Sequence, residues 1–190
     1  FVSLSMLEAP DNNLTHIDVS KNILLTELYL NDNKLETVDI SKNLALINFD
    51  IQNNQVKFID VSKNLALTSL FVRNNQLKAI DVSKNIDLQY LFCKDNKITK
   101  IDISQNVALI QVEANNNSLV NVNMKGNTNN IDYLELRNNP LLNCIEVDDL
   151  DFAVNGSHSN WFKDNSASYS ATPCDAYTLI PDVAFEQSLI

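Results

Sequence analysis

The sequence predicts a repeat solenoid, mainly β, made of short parallel strands. One 21-residue pattern, L-x-x-L-x-L-x-x-N-x-L-x-x-I-D-V-S-K-N-x-x, recurs along most of the chain. A fixed period of this length is typical of architectures in which each unit buries its apolar side against its neighbours. Each repeat also contains two segments where apolar and polar residues alternate, as in strands with one buried face. The repeats begin at Leu4, Leu25, Leu46, Leu67, Leu88, Leu109 and, one residue late, Ile131.

Two similar halves, of ten and eleven residues, make up each repeat. In the second repeat Leu28 and Leu30 are expected to point inward and Tyr29 outward, and Val38 and Ile40 repeat the inward pattern ten residues later. Twenty-one residues are too few for two strands, two turns and a helix. We therefore expect about seven flattened coils with a short parallel strand on each broad side, stacked at roughly 4.8 Å.

The first half of the pattern resembles the core of leucine-rich repeats, from Leu4 to about Asp148. The nested halves are similar to the short bacterial subclass called IRREKO repeats. Near the C-terminus, C-I-x-V-D-D followed by a tryptophan and a second cysteine resembles a segment that ends repeat arrays in secreted and surface proteins of the Bacteroidetes. The resemblance implies a leucine-rich repeat solenoid.

An asparagine occupies the same position in each repeat, where the chain turns inward. Asparagine tolerates left-handed backbone and offers both donors and an acceptor to turn groups that would otherwise be buried unpaired. We therefore expect a structural ladder, called the first asparagine column: Asn33, Asn54, Asn75, Asn96, Asn117 and Asn139, preceded by Asn12. A second asparagine column should act likewise at the other turn: Asn43, Asn64, Asn85, Asn106 and Asn127, preceded by Asn22.

Changes in composition divide the chain into three parts. Residues 1–142 form the repeat array and residues 143–174 an irregular C-terminal cap rich in Asp, Ser, Asn and aromatic residues. Residues 175–190 are expected to be a linker or the start of a further domain, so that the chain is a fragment truncated at both ends. The cap aromatics are expected to cover the open end of the core: Phe152, Trp161, Phe162 and Tyr169.

The three cysteines fall into two groups. Cys93 occupies an inward strand position and should be a buried free thiol. Cys144 and Cys174 flank the cap and are candidates for one disulfide, the alternative being two free thiols. A disulfide would indicate an oxidising compartment, hence secretion or display at the cell surface.

Composition excludes several classes of function. The net charge of −10 argues against binding to nucleic acid or anionic membranes. No apolar run reaches the length of about 18 residues needed for membrane insertion. His16 and His158 are too few and too separate for a zinc site, and we predict no catalytic residues, no metal and no cofactor. Acidic residues leave a cation-binding alternative open, at the row formed by Asp18, Asp39, Asp60, Asp81 and Asp102 or at Asp148, Asp149 and Asp151 in the cap.

The first-half strands carry the variable outward residues. Phe71, Tyr90 and Phe92 should be neighbours on this face, where the core does not require them. Aromatic residues beside cations are typical of interaction patches, although aromatics also favour strands for reasons of packing alone. The candidate ligand-binding residues are Tyr29, Phe71, Arg73, Tyr90, Phe92, Lys94, Glu113 and Tyr133.

By its resemblance, the chain is expected to be a non-enzymatic extracellular recognition or adhesion module that binds a protein partner through the first-sheet face. A carbohydrate-binding module that uses the exposed aromatics is an alternative. A passive structural spacer in a larger surface protein is another. Contiguous aromatics would favour recognition, and scattered ones the spacer. Further domains of the same polypeptide are expected in every case.

Overall fold

The computed structural model describes residues 3–156 and 160–174. They form a parallel β-solenoid of eight turns, one more than the sequence predicts, with a single short helix, α1 (Leu150–Asn155), within this part of the chain. The strands in chain order are β1 (Met6–Glu8), β2 (Glu27–Tyr29), β3 (Asn48–Asp50), β4 (Ser69–Phe71), β5 (Tyr90–Phe92), β6 (Lys100–Asp102), β7 (Gln111–Glu113), β8 (Asn121–Asn123), β9 (Tyr133–Glu135), β10 (Cys144–Glu146), β11 (Trp161–Phe162) and β12 (Ser168–Ser170).

The first sheet has eight parallel strands in the order β1-β2-β3-β4-β5-β7-β9-β11. Each residue pairs with the residue at the same repeat position in the next coil, so that Asp50 pairs with Phe71 and Phe71 with Phe92. Equivalent inward side chains therefore stack in the core, and Leu28 and Leu70 are fully buried. Every side chain of one repeat position thus forms a row along the solenoid.

The second sheet is shorter than the sequence predicts. It contains only β6, β8, β10 and β12, and begins at Lys100. In the first four coils, the main-chain hydrogen bonds on this side are isolated ones, such as Lys34 N–H to the Leu14 carbonyl at 2.9 Å. Two strands need successive bonds to form a ladder. The backbone there is extended and buries its apolar residues, but it is not paired into strands.

The first asparagine column fastens each coil to the one before it. The Asn75 side-chain amide donates to the carbonyls of Ile51, Val72 and Arg73 at 2.9, 3.2 and 3.1 Å, and its oxygen accepts from Val56 N–H at 2.9 Å. The other five members make the corresponding bonds. The column therefore satisfies main-chain groups at a turn that is closed to water.

The second asparagine column makes a simpler contact at the opposite turn. Asn64 is fully buried and its amide donates to the carbonyls of Ile40 and Asn43, both in the preceding coil, at 3.1 and 2.8 Å. Both columns therefore link each coil to its predecessor.

Left-handed backbone lies one residue before the first asparagine column rather than within it. The residues there have φ between 51° and 60°. Asp and Asn are the side chains that tolerate this conformation best after glycine, which explains why the chain makes these turns with only two glycines. The residues are Asp11, Asp32, Asn53, Asn74, Asp95, Asn116 and Asn138.

The C-terminal stretch is more regular than expected, because β10, β11 and β12 extend both sheets. Trp161 and Tyr169 are half-buried and pack on the core, and Trp161 Nε1 donates to the Ile131 carbonyl at 2.8 Å. Phe162 differs from the prediction: it pairs with Glu135 in the first sheet and lies against Tyr133, not over the end of the core.

Cys144 and Cys174 form the expected disulfide, with a Cα–Cα distance of 5.7 Å. Cys93 is free and buried, and burial raises the pKa of its thiol to about 12. The expectation for residues 175–190 lies outside the described residues.

Candidate functional site

Three aromatic side chains meet on the outer face of the first sheet and are called here the aromatic patch: Phe71, Tyr90 and Phe92. The rings of Phe71 and Phe92 stack with centroids 4.9 Å apart, and Tyr90 meets Phe92 edge-on at 6.2 Å. All three side chains are half-buried. The aromatics are therefore contiguous, because the register places equivalent residues of β4 and β5 side by side.

Arg73 borders the aromatic patch and is held in place. Its guanidinium carbon lies 4.3 Å from the centroid of the Phe92 ring, within the range of a cation–π interaction. One terminal nitrogen pairs with Glu113 at 2.7 Å, and the other donates to the Gln52 side chain at 3.3 Å. Arg73 Nε is buried and has no hydrogen-bond partner within the described residues.

Three of the predicted residues, Tyr29, Lys94 and Tyr133, make other contacts. Lys94 pairs with Asp95, with nitrogen and oxygen 3.6 Å apart. The Tyr29 hydroxyl donates to Glu27 at 2.6 Å, a contact that raises the pKa of Tyr29 to about 12. Asp50 stands between Tyr29 and Phe71 in the register. The structure thus groups Phe71, Arg73, Tyr90, Phe92 and Glu113 and leaves Tyr29, Lys94 and Tyr133 outside this group.

A second arginine–aromatic pair lies at the C-terminal end of the same sheet and was not foreseen from the sequence. The Arg137 guanidinium carbon is 4.5 Å from the centroid of Phe162, and its Nε donates to Glu135 at 2.8 Å. The Arg137 hydrogen bonds lower the pKa of Glu135. The Tyr133 ring lies 5.9 Å from Phe162. The sequence does show that Arg137 occupies the same repeat position as Arg73. It does not show that Phe162 lies beside it, because Phe162 is outside the repeats and has no equivalent residue in them.

The residues considered for cation binding have protein partners instead. In the row beginning at Asp18, each aspartate oxygen accepts the N–H of the serine two residues on; for Asp39 and Ser41 the distance is 2.8 Å. In the cap, Asp148 accepts from Gly126 N–H at 2.6 Å, and Asp149 caps the N-terminus of α1. No cluster of three or more His, Cys, Asp or Glu able to hold a metal occurs among the described residues.

Within residues 3–156 and 160–174, no helix combines the length and apolar content needed to cross a lipid bilayer. The helix in these two ranges is the short α1.

Comparison with solved structures shows the leucine-rich repeat fold. The functional domain of InlJ from Listeria monocytogenes, which includes a cysteine ladder, is 22% identical with a TM-score of 0.65, and the match covers 85% of this chain and 44% of that one. YopM, a leucine-rich effector protein from Yersinia pestis, is 19% identical with a TM-score of 0.58, over 87% and 44% of the two chains. The LRIM1/APL1C complex gives 16% identity and a TM-score of 0.64, over 90% and 40%.

The chain thus spans 40–44% of the length of these solved chains. No protein-family model matches it, and no curated protein matches it significantly.

Proposed function

We propose that the chain is a non-enzymatic, extracellular recognition module that binds a protein partner through the outer face of the first sheet, centred on the aromatic patch. The observation that carries this proposal is the contiguity of Phe71, Tyr90 and Phe92. These rings stand on the outward face, while the core is filled by the inward residues of the same strands. A spacer would not need aromatic rings to be gathered in one place.

The composition and order of the aromatic patch support protein recognition. Aromatic and arginine side chains dominate the energetics of protein interfaces. Arg73 is fixed between Phe92, Glu113 and Gln52, so that its rotamers are restricted before any partner arrives. A pre-ordered side chain loses less conformational entropy on binding.

The extracellular setting is supported by the disulfide between Cys144 and Cys174. Disulfides persist mainly in oxidising compartments. The likeness to a functional domain of InlJ and to a protein seen in the LRIM1/APL1C complex is compatible with a module that works beside other domains or partners. Further domains of the same polypeptide are part of the proposal.

The test is a binding screen of the 190-residue chain against arrays of extracellular proteins and of glycans. The Phe71→Ala/Phe92→Ala variant is screened beside it. Phe58→Ala is the matched control, because this phenylalanine is 71% exposed and lies in the second half of its repeat, away from the aromatic patch. We expect a protein ligand whose binding is lost in the double variant and kept in the control. Binding that survives the double variant would place the site elsewhere.

Carbohydrate binding is the second candidate, favoured by one feature of the aromatic patch. Asp50 lies on the strand next to Phe71, and Gln52 follows that strand and donates to the Asp50 carboxylate. Their polar groups can hydrogen-bond to the hydroxyls of a sugar that stacks on the Phe71 ring. A glycan ligand lost in the double variant would support this candidate over the protein partner. Absence of any ligand would favour the spacer.

A further inference from the structure

A row of five exposed aliphatic side chains runs along one edge of the solenoid, away from the aromatic patch. Each follows directly after a member of the second asparagine column and is 55–58% exposed. We call this row the aliphatic ridge: Ile23, Leu44, Leu65, Ile86 and Val107. Single exposed aliphatics are ordinary on protein surfaces, but a contiguous row in five successive coils marks an interaction surface.

The aliphatic ridge ends at Val107, because the next coil has a polar residue at the equivalent position. The equivalent residue there is Thr128, which is 1% exposed and whose hydroxyl donates to Asp148 at 3.0 Å. The turn can therefore bury a polar residue at this position. The exposed aliphatics in the five preceding coils are not a requirement of the fold.

Lysines line one side of the aliphatic ridge. They stand two residues before the first four ridge residues, at Lys21, Lys42, Lys63 and Lys84, and Gln105 takes this position before Val107. All four are exposed, and none lies within ion-pair distance of a carboxylate in the described part of the chain. On the other side the residues are mainly small, such as Ala45 and Ala66, with one acidic residue, Asp87. The edge is thus apolar with a basic border, on a chain whose net charge is −10.

The spacing of the ridge matches an α-helix better than a strand. Successive ridge residues are one coil apart, roughly 4.8 Å. A helix presents one apolar residue per turn, about every 5.4 Å, so its side chains can interleave with the five ridge residues over their span of about 19 Å. Same-face residues of an extended strand are about 6.7 Å apart and fall out of step within two coils. About 13 residues of helix cover the ridge.

We propose that the aliphatic ridge is a docking site for an acidic amphipathic helix of a partner protein, lying along the solenoid axis with its apolar side on the ridge and its carboxylates towards the lysine row. Charge complementarity selects this occupant. In a second copy packed antiparallel, ridge on ridge, lysine row would face lysine row, and like charges at close range oppose the contact. A flat anionic lipid surface, broader than a helix, would extend past the lysine row to the aspartates beginning at Asp18, which stand three residues before the lysines in the sequence.

The test uses the 190-residue chain and a fluorescent synthetic helix of about 20 residues with leucine on one side and glutamate elsewhere. A second helix, with lysine in place of glutamate, tests the charge. We expect the glutamate helix to bind at least about tenfold more tightly than the lysine helix. The ridge variant, Leu44→Ser/Leu65→Ser/Ile86→Ser, should weaken binding of the glutamate helix by about tenfold or more. The lysine variant, Lys42→Glu/Lys63→Glu/Lys84→Glu, should weaken it by about tenfold or more as well.

Leu141→Ser is the matched control, because Leu141 is 63% exposed but lies off the ridge. Circular dichroism of every variant shows whether the fold is retained. The Phe71→Ala/Phe92→Ala variant should bind the helix as the unmodified chain does, which separates this proposal from the proposed function. Equal binding of both helices, no binding, or binding unaffected by the ridge variant overturns the proposal.

Two further measurements identify the other possible occupants, and either positive result overturns the acidic helix. Sedimentation equilibrium detects a dimer that the ridge variant converts to a monomer, which would make the ridge a contact between copies. Co-sedimentation with phosphatidylserine vesicles, lost in the ridge variant, would make it a lipid-binding edge.

Discussion

Single asparagines in the first column each hold several main-chain groups that water cannot reach. Asn75→Ala removes three donated bonds and one accepted bond at a position that is 9% exposed. Because unpaired buried polar groups are costly, we expect the free energy of unfolding to fall by about 2–4 kcal/mol. Urea denaturation measures this change.

Asn129→Ala is the comparison for that measurement. Asn129 is exposed in the turn after the second asparagine column, so its replacement should change the free energy of unfolding by less than about 0.5 kcal/mol. Equal losses in the two variants would contradict a special role for the first asparagine column.

The aspartates in the row beginning at Asp18 should make the stability of the fold sensitive to acid. Hydrogen bonds from the N–H and hydroxyl of Ser41 lower the pKa of Asp39 below its ordinary value of 3.8, and Asp60 and Asp81 are lowered in the same way by Ser62 and Ser83. A carboxylate with a lowered pKa in the folded state stabilises the fold above its unfolded pKa. This contribution is lost as the pH falls below about 3.8 and through the folded pKa.

Replacing three of these charges isolates the effect. In Asp39→Asn/Asp60→Asn/Asp81→Asn the side-chain oxygen can still accept the serine N–H, but it no longer titrates. We expect a lower melting temperature than that of the unmodified chain at neutral pH, because the stabilisation by the charged carboxylates is lost, and a smaller decrease on acidification. Circular dichroism between about pH 7 and pH 2 measures both changes. Asp87→Asn is the control and should leave the acid sensitivity unchanged. A triple variant as acid-sensitive as the unmodified chain would refute the prediction.

Residue positions that follow the repeat could be predicted, and positions outside it could not. The neighbourhood of Phe71, Tyr90 and Phe92 follows from the 21-residue period alone. The pairing of Arg73 with Glu113 crosses two coils and depends on rotamers that a period does not specify. Phe162 lies in a stretch without repeats, so its place on the first sheet beside Tyr133 had no sequence signal.

Among the elements, the last strands depend on a covalent closure. The disulfide joins the first residue of β10 to Cys174, just after β12, across a sequence separation of 30. On the chain-entropy relation, closing a loop of this length stabilises the folded state by roughly 3–4 kcal/mol.

Cys144→Ser/Cys174→Ser should therefore unfold at a lower guanidinium concentration, with a loss of roughly 3–4 kcal/mol. A reducing agent should have the same effect on the unmodified chain and no further effect on the variant, which already lacks the bond. A variant as stable as the oxidised chain would contradict this role for the disulfide.

Strands on the first side were predictable, whereas those on the second side were only partly so. Alternation of apolar and polar residues is present on both sides in every repeat. It shows which residues are buried, as for Val38 and Ile40, but not whether neighbouring backbones bond in succession. That depends on the path of the turns, which alternation does not encode.

For the whole molecule, the coil is the unit that can be removed. The strands of the first sheet pair equivalent positions of adjacent repeats, so that each coil mainly contacts its neighbours, as in other solenoids. Deleting residues 46–66 joins Ala45 to Leu67 and brings together repeats with the same pattern. We expect a folded, shorter protein that melts cooperatively at a lower temperature, measured by calorimetry.

Deleting residues 46–55, half a coil, is the matched comparison. Every later strand would then be placed on the opposite broad side, and Phe71 would no longer share a sheet with Tyr29. We expect this variant to lose cooperative melting. A half-coil deletion as stable as the full-coil deletion would contradict the requirement for whole coils.

The asparagine bonds also have a direction. The amide of Asn75 donates to Ile51 and its oxygen accepts from Val56, and both partners belong to the preceding coil. Asn64 in the second column likewise donates back to Ile40 and Asn43. A ribosome releases the chain from its amino end. Each coil therefore leaves the ribosome after the preceding coil, whose main-chain groups bond to its asparagines. The solenoid can thus be completed one coil at a time during translation.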